Sequence, residues 1–136
     1  MSKLKCDIVT PTALLCSNEP YMVIVPGAEG EMGFLEGHEP LVSVLADGVV
    51  RLHLEDGGEV LKYVLQGGYV EVTGEKVIIL ADRACPLEEV DVAQAREDLS
   101  TAEARFSELS EEEAKSSTLD SDIAWYKAQI TASEKN

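Results

Sequence analysis

Residues 87 to 136 contain neither glycine nor proline, whereas all ten glycines fall between Gly27 and Gly74 and the last of the five prolines is Pro86. Both residue types punctuate a backbone, glycine by entering positive φ and proline by withholding a donor. A chain divided in this way changes grammar near residue 86, from many short elements to a few long ones. We therefore expect a β-rich domain over residues 1–85 and a helical domain over residues 86–136.

Before the boundary, short runs alternate in character. In "LKCDIV", Leu4, Cys6 and Ile8 fall on one face of a strand and Lys5 and Asp7 on the other. Similar runs are "YMVIV", "LVSVL", "VVRLHL", "VLKYVL", "GYVEV" and "KVIIL". The separators Glu55-Asp56-Gly57-Gly58 and Thr73-Gly74-Glu75 read as hairpin turns in which glycine takes positive φ. Strands this short and closely spaced predict a sandwich or barrel rather than βαβ units. "EMGFLEGHEPL" reads as a glycine-rich loop, and Gly67-Gly68 as a sharp turn between strands.

After the boundary the period lengthens. Val92, Ala95, Leu99, Ala102, Phe106 and Leu109 are spaced three and four apart, and so are Leu119, Ile123, Tyr126 and Ile130. Ser116-Ser117-Thr118 offers hydroxyl caps for the second helix, with Asp120 and Asp122 in its first turn. Glu111-Glu112-Glu113 is expected to be a solvated helix end, with Glu111 and Lys115 as one i,i+4 pair. The tail is thus predicted to be an antiparallel two-helix hairpin on narrow, alanine-containing stripes, the less stable half of the molecule.

Acidic residues number 26 against 11 basic ones, a net charge of −15. Such a surface repels phosphate backbones and anionic lipid, which sets aside nucleic-acid partners and direct lipid binding. No run approaches the ~20 apolar residues of a membrane-spanning helix, and the N-terminal segment does not match a signal peptide, so a cytosolic protein is expected. Cys6, Cys16 and Cys85 are odd in number and form no CxxC pair, which points to reduced core thiols. His53 alternates with Leu52 and Leu54 and is expected to face solvent. His38, a lone histidine among glycines and carboxylates, suits a turn or a polar interface better than a metal site, and no metal or cofactor is expected. Nucleophile elbows, Walker loops and dinucleotide fingerprints are missing, so the residues point to a binding or structural protein. The competing readings are a free-standing sandwich adaptor or ligand sensor, and a small metal-dependent β-barrel enzyme using His38.

Two segments carry a resemblance. "GEMGFLEGHEPLVSVLADGVVRL" is similar to the GELGxxxGHxPLxxxLxxGxxR stretch of the F-type ATP synthase epsilon subunits, and "VLQGGYVEVTGEKVIILAD" to their SGGxxEVxxxxVxxLAD stretch. The order of a β-sandwich before a helical hairpin is also shared. The resemblance implies a non-catalytic rotor subunit on the cytoplasmic face of a bacterial membrane, gripping the gamma subunit and resting on the c-ring to couple proton flow to ATP synthesis. No small-molecule substrate is implied. Carried over by position, Glu31, Gly33, His38, Pro40 and Leu41 become the gamma or c-ring contacts, with the His38 loop facing the c-ring, and Glu31 and His38 the polar ones. Inhibitory relatives press a basic hairpin on an acidic segment of the catalytic beta subunit. Here residues 86–136 carry five basic and thirteen acidic side chains, so weak inhibition is expected. An (I/L)DxxRA nucleotide motif is matched at Asp91 and Ala95, but Gln94 replaces its arginine, and weak ATP binding or none is expected.

Overall fold

The computed structural model describes residues 3–55 and 57–135. Ten strands come first: β1 (Lys5–Thr10), β2 (Ala13–Asn18), β3 (Met22–Gly27), β4 (Gly30–Leu35), β5 (Leu41–Val44), β6 (Gly48–His53), β7 (Val60–Gln66), β8 (Tyr69–Val72), β9 (Lys76–Leu80) and β10 (Arg83–Pro86). They form two five-stranded sheets, ordered β2-β1-β9-β8-β5 (sheet I) and β10-β7-β6-β3-β4 (sheet II). The sandwich is the expected architecture; the reading of the short strands as an antiparallel β-sandwich holds for every pairing among the described residues but one. β1 runs parallel to β9, from Lys5 opposite Lys76 to Val9 opposite Leu80. The long excursion of the chain between these two strands makes the parallel pairing possible, since a tight hairpin can join only antiparallel neighbours.

The alternation in β1 does what the pattern predicts. Leu4, Cys6 and Ile8 are fully buried and meet Val70, Val72, Val77 and Ile79 of the same sheet. Val23, Val25, Phe34, Val50, Leu52 and Leu65 of sheet II close the core from the other side. β4 corrects the expected loop: Met32 and Phe34 point into the core and Gly33 pairs with Ile24. His53 also differs from expectation. It is half-buried, its Nε2 is enclosed, and its ring stands edge-on to Tyr21 with centroids 6.3 Å apart.

Gly68 is the glycine the fold cannot replace. Its φ is +101°, and a Cβ there would lie 1.8 Å from the carbonyl oxygen of Leu80. Gly57 takes the positive φ expected of its turn, while Asp56 beside it lies outside the described residues. Gly74 does not have positive φ; that turn is instead closed by Thr73, which exchanges backbone and hydroxyl bonds with Lys76.

A 3₁₀ turn at Leu87–Glu89 leads into α1 (Val92–Ser107), α2 (Glu111–Ser116) and α3 (Leu119–Lys135). The predicted pair of helices is thus α1 and α3, with α2 inserted between them. Glu111, Glu112 and Glu113 form the exposed first turn of α2, a solvated helix end as expected, and Leu109 lies in the connection. Ser110 caps α2 through a capping box: its hydroxyl accepts from the Glu113 N–H, and the Glu113 carboxylate accepts from the Ser110 N–H. α3 lies over sheet II, where Trp125, Ala128 and Ala132 pack on Val49 and Val64.

Candidate functional site

The outer face of sheet I carries a line of apolar side chains set by strand register. Val44 sits opposite Tyr69, Tyr69 opposite Leu80, Leu80 opposite Val9, and Val9 opposite Leu14. Alternation turns all five away from the core. Leu14, Val44, Tyr69 and Leu80 are between 44% and 61% exposed, and Val42 in the next row reaches 68%. A row of large apolar groups across a whole sheet exceeds the scattered exposure ordinary in a soluble surface. The helices cover the other sheet, so this face is open. The sequence signal was in "KVIIL", where Ile78 and Leu80 break the alternation as they do in strands covered on both faces.

The predicted polar loop lies at the opposite end of the sandwich. Gly37, at φ +86°, donates its N–H to the Gly74 carbonyl at 2.7 Å and so ties the β4–β5 loop to the β8–β9 turn. The ring of His38 stands edge-on to Phe34, with centroids 4.9 Å apart. Its Nδ1 lies 2.7 Å from the Glu39 carbonyl, which only accepts, so Nδ1 is the donor nitrogen in this contact. Pro40 is exposed and Leu41 packs against the core, anchoring the loop. Lys3, Lys5 and Lys76 with Glu19, Glu36 and Glu75 make this end charged.

Glu31 stands apart from His38. It begins β4 while His38 follows its end, and Glu31 to Leu35 alone spans roughly 13 Å of strand. Its carboxylate accepts from Arg51 Nη1 at 2.8 Å. Gly33 lies between the two on the outer face of the edge strand, with only Ile24 near its missing Cβ. His38, Pro40 and Leu41 are therefore brought together, and Glu31 is placed beside α3.

On the helical side the residues of the predicted stripes lie at buried or half-buried positions. Ala95 and Ala102 are buried, and Val92, Leu99, Phe106, Leu119, Ile123, Tyr126 and Ile130 are half-buried, as is Leu109 beyond the end of α1. Trp125, Ala128 and Ala132 were missed because they form a second face on α3, roughly 160° around from the first at about 100° per residue. Polar contacts fasten both seams. Gln66 Nε2 donates to the Ser121 carbonyl at 2.8 Å, Arg83 pairs with Asp122 at 2.5 Å, and Arg96 of α1 pairs with Glu134 of α3 at 2.8 Å. Asp91 is the N-cap of α1, accepting from the Gln94 N–H at 3.0 Å, while Gln94 Nε2 donates to Asp98. Ala95 is buried against the cover's interior. All three cysteines are free thiols; burial pushes Cys6 well above the ordinary thiol value and Cys85 to about 11, so neither is a nucleophile at neutral pH.

Residues 3–87, the sandwich without its helical cover, match the family model "ATP synthase, Delta/Epsilon chain, beta-sandwich domain". The ATP synthase epsilon chain of Granulibacter bethesdensis is 37% identical over 106 residues, covering 78% of each chain. That of Dehalococcoides mccartyi strain BAV1 is 41% identical over 108 residues, 79% of this chain and 76% of the relative. The chain belongs to the ATP synthase epsilon family. Epsilon chains are non-catalytic subunits of their complex. A chain of the Euglena gracilis mitochondrial ATP synthase, in its OSCP/F1/c-ring assembly, superposes with a TM-score of 0.74 at 26% identity, covering all of this chain and 83% of its own. A chain of the Tetrahymena thermophila enzyme shares the fold, with a TM-score of 0.54. As in a peripheral epsilon subunit, no helix among the described residues is long and apolar enough to cross a membrane.

Proposed function

We propose that this epsilon chain is a rotor element of a bacterial proton-translocating ATP synthase, held on the cytoplasmic face of the membrane between the gamma subunit and the c-ring. The observation that carries the reading is the open row Leu14, Val9, Leu80, Tyr69 and Val44, which needs an apolar partner on the side away from the helices. Gamma is the partner that a coupling subunit must grip firmly, and apolar burial supplies that grip. Glu31 and His38 sit toward opposite ends of β4, one beside α3 and the other in the β4–β5 loop. Each end meets a different neighbour, one gamma and one the c-ring.

The hairpin residues serve a weak regulatory role. Five basic against thirteen acidic side chains over residues 86–136 disfavour docking on an acidic segment of the beta subunit. Asp91 already caps α1 and Gln94 is bonded to Asp98, which leaves the degenerate nucleotide motif without a cationic phosphate partner.

The test is to replace Tyr69 and Leu80 together by serine and measure binding to purified gamma. Losing two large buried apolar groups is expected to weaken binding at least about hundredfold, with the urea midpoint of the free chain unchanged. A variant that binds gamma normally removes the assignment of this face. In the same complexes, Glu31→Cys and His38→Cys are expected to cross-link to different subunits, and deletion of residues 87–136 to raise ATP hydrolysis less than severalfold.

A further inference from the structure

We propose that the cleft between sheet II and α3 binds a small amphiphilic anion, an apolar body carrying a carboxylate or phosphate head. The cleft encloses about 500 Å³ and no residue of α1 lines it, so it is separate from the Asp91 motif. Its volume falls among those of ordinary small-molecule pockets, which are apolar with a few converging polar groups and lie where two units meet. The floor has that character: Val49, Ala128 and Ala132 line it, beside Gly48, where any Cβ would collide with Pro26 at 2.8 Å.

The rim carries a small positive excess, three basic side chains against two acidic ones, on an otherwise acidic molecule. Arg51, Lys127 and Lys135 line the cleft, three of the 11 basic residues of a chain with a net charge of −15. Glu31 and Asp47 also line it; Glu31 is paired with Arg51, while Asp47 accepts from the Gly67 N–H at 2.8 Å and keeps its charge, so among the described residues two lysines face one carboxylate without a cationic partner. Neither Lys127 nor Lys135 forms an ion pair with another described residue. They are two helical turns apart with Thr131 between them, so both flexible ammonium groups reach a head group held at the Thr131 hydroxyl. Glu31 fixes the Arg51 guanidinium on the facing wall. An inorganic ion would leave the alanine floor wet, and a neutral apolar molecule would leave the ammonium groups unused; an amphiphilic anion satisfies both. The occupant would touch sheet II on one side and α3 on the other, and by linkage would favour the docked position of α3. This site stands independently of the rotor reading.

The experiment is a fluorescence titration of the full chain with 8-anilinonaphthalene-1-sulfonate, an aromatic body with one anionic head, alongside its neutral analogue N-phenyl-1-naphthylamine. The sulfonate is expected to saturate a single class of site. Lys127→Glu with Lys135→Glu should weaken it at least about tenfold, as loss of two charge-assisted contacts would, and Lys127→Arg with Lys135→Arg should retain it. The neutral analogue should be indifferent to both pairs. Both lysines are exposed helix positions, and an unchanged urea midpoint will show that the fold is intact. The proposal is overturned if the sulfonate does not saturate, or if charge reversal leaves it unchanged. It is equally overturned if the neutral probe weakens in parallel, or if Tyr69→Ser with Leu80→Ser abolishes binding and so places the probe on sheet I.

Discussion

The sandwich and its helical cover bury side chains of different size. Every large side chain that is fully enclosed, from Leu4 and Phe34 to Leu65 and Ile79, belongs to the sandwich. Among the described residues, the buried ones of the cover are Ala95, Ala102 and Ala132. Burying a leucine, isoleucine, valine or phenylalanine is worth about 1.5–3 kcal/mol, and one methyl about 0.8. The cover therefore relies on half-buried contacts around Trp125 and on the polar fasteners Gln66 to Ser121 and Arg83 to Asp122. Local stability follows local burial, so the molecule should open at the α3 seam long before the sandwich unfolds.

The largest effect that sharpens this contrast is at Gly68. Gly68→Ala places a methyl against the Leu80 carbonyl in a backbone conformation that alanine avoids, and is expected to cost at least about 3 kcal/mol. Gly74→Ala meets nothing within 4 Å at an ordinary φ and should stay within about 0.5 kcal/mol of the parent. Urea denaturation of the two variants will separate a glycine demanded by the fold from one that merely occupies a turn.

Trp125→Ala comes next. Trp125 packs on the Val49 and Val64 surface of sheet II, and being half-buried its loss should cost about 1–3 kcal/mol. The expected signature is local: amide exchange should accelerate through residues 92–135 while the strands keep their protection. If strand amides accelerate to the same extent, the two regions unfold as one unit and the contrast fails.

How far the sequence reveals this arrangement depends on where each element sits in its sheet. β1, β3, β6, β7, β8 and β9 all have neighbours on both edges, and each showed an apolar run. β2, β4 and β10, which were not recognised, are three of the four edge strands. An edge needs fewer ladder bonds and less two-sided packing, so it tolerates Gly30 and Gly33 in β4 and Pro86 in β10. The same logic hid the open face. Val42 and Val44 in β5 read as ordinary core alternation, whereas Leu41 turns inward and both valines turn out. Pattern alone does not say which face of a strand is the core. The helical stripes were legible because α1 and α3 meet along them, but Trp125 required knowledge that α3 also lies on a sheet. Glu31 and His38 looked like partners from seven residues of separation, and only the extension of the intervening chain as a strand parts them.

The smallest expected effect concerns the short helix between the two long ones. Glu113 accepts from the Ser110 N–H, and this hydrogen bond, followed by that to the Ser110 hydroxyl, holds its carboxyl below the ordinary glutamate value. A carboxyl lowered on folding contributes stability that is present above its unfolded value and is lost as pH falls through the lowered folded one. α2 should therefore fray in acid, seen as movement of the Ser110 and Glu113 amide resonances together, without change in the strands. Ser110→Ala removes the hydroxyl half of the cap at any pH, at a cost of about 1 kcal/mol confined to α2, and should shrink the acid step without abolishing it, because the residue 110 backbone N–H that chiefly lowers the Glu113 carboxyl remains. The connection between α1 and α3 would then be set by the seams on either side of it. If the acid step instead shifts residues of α1 and α3 together, α2 couples the two long helices, and the cover is a single cooperative unit rather than two helices joined by an independently capped turn.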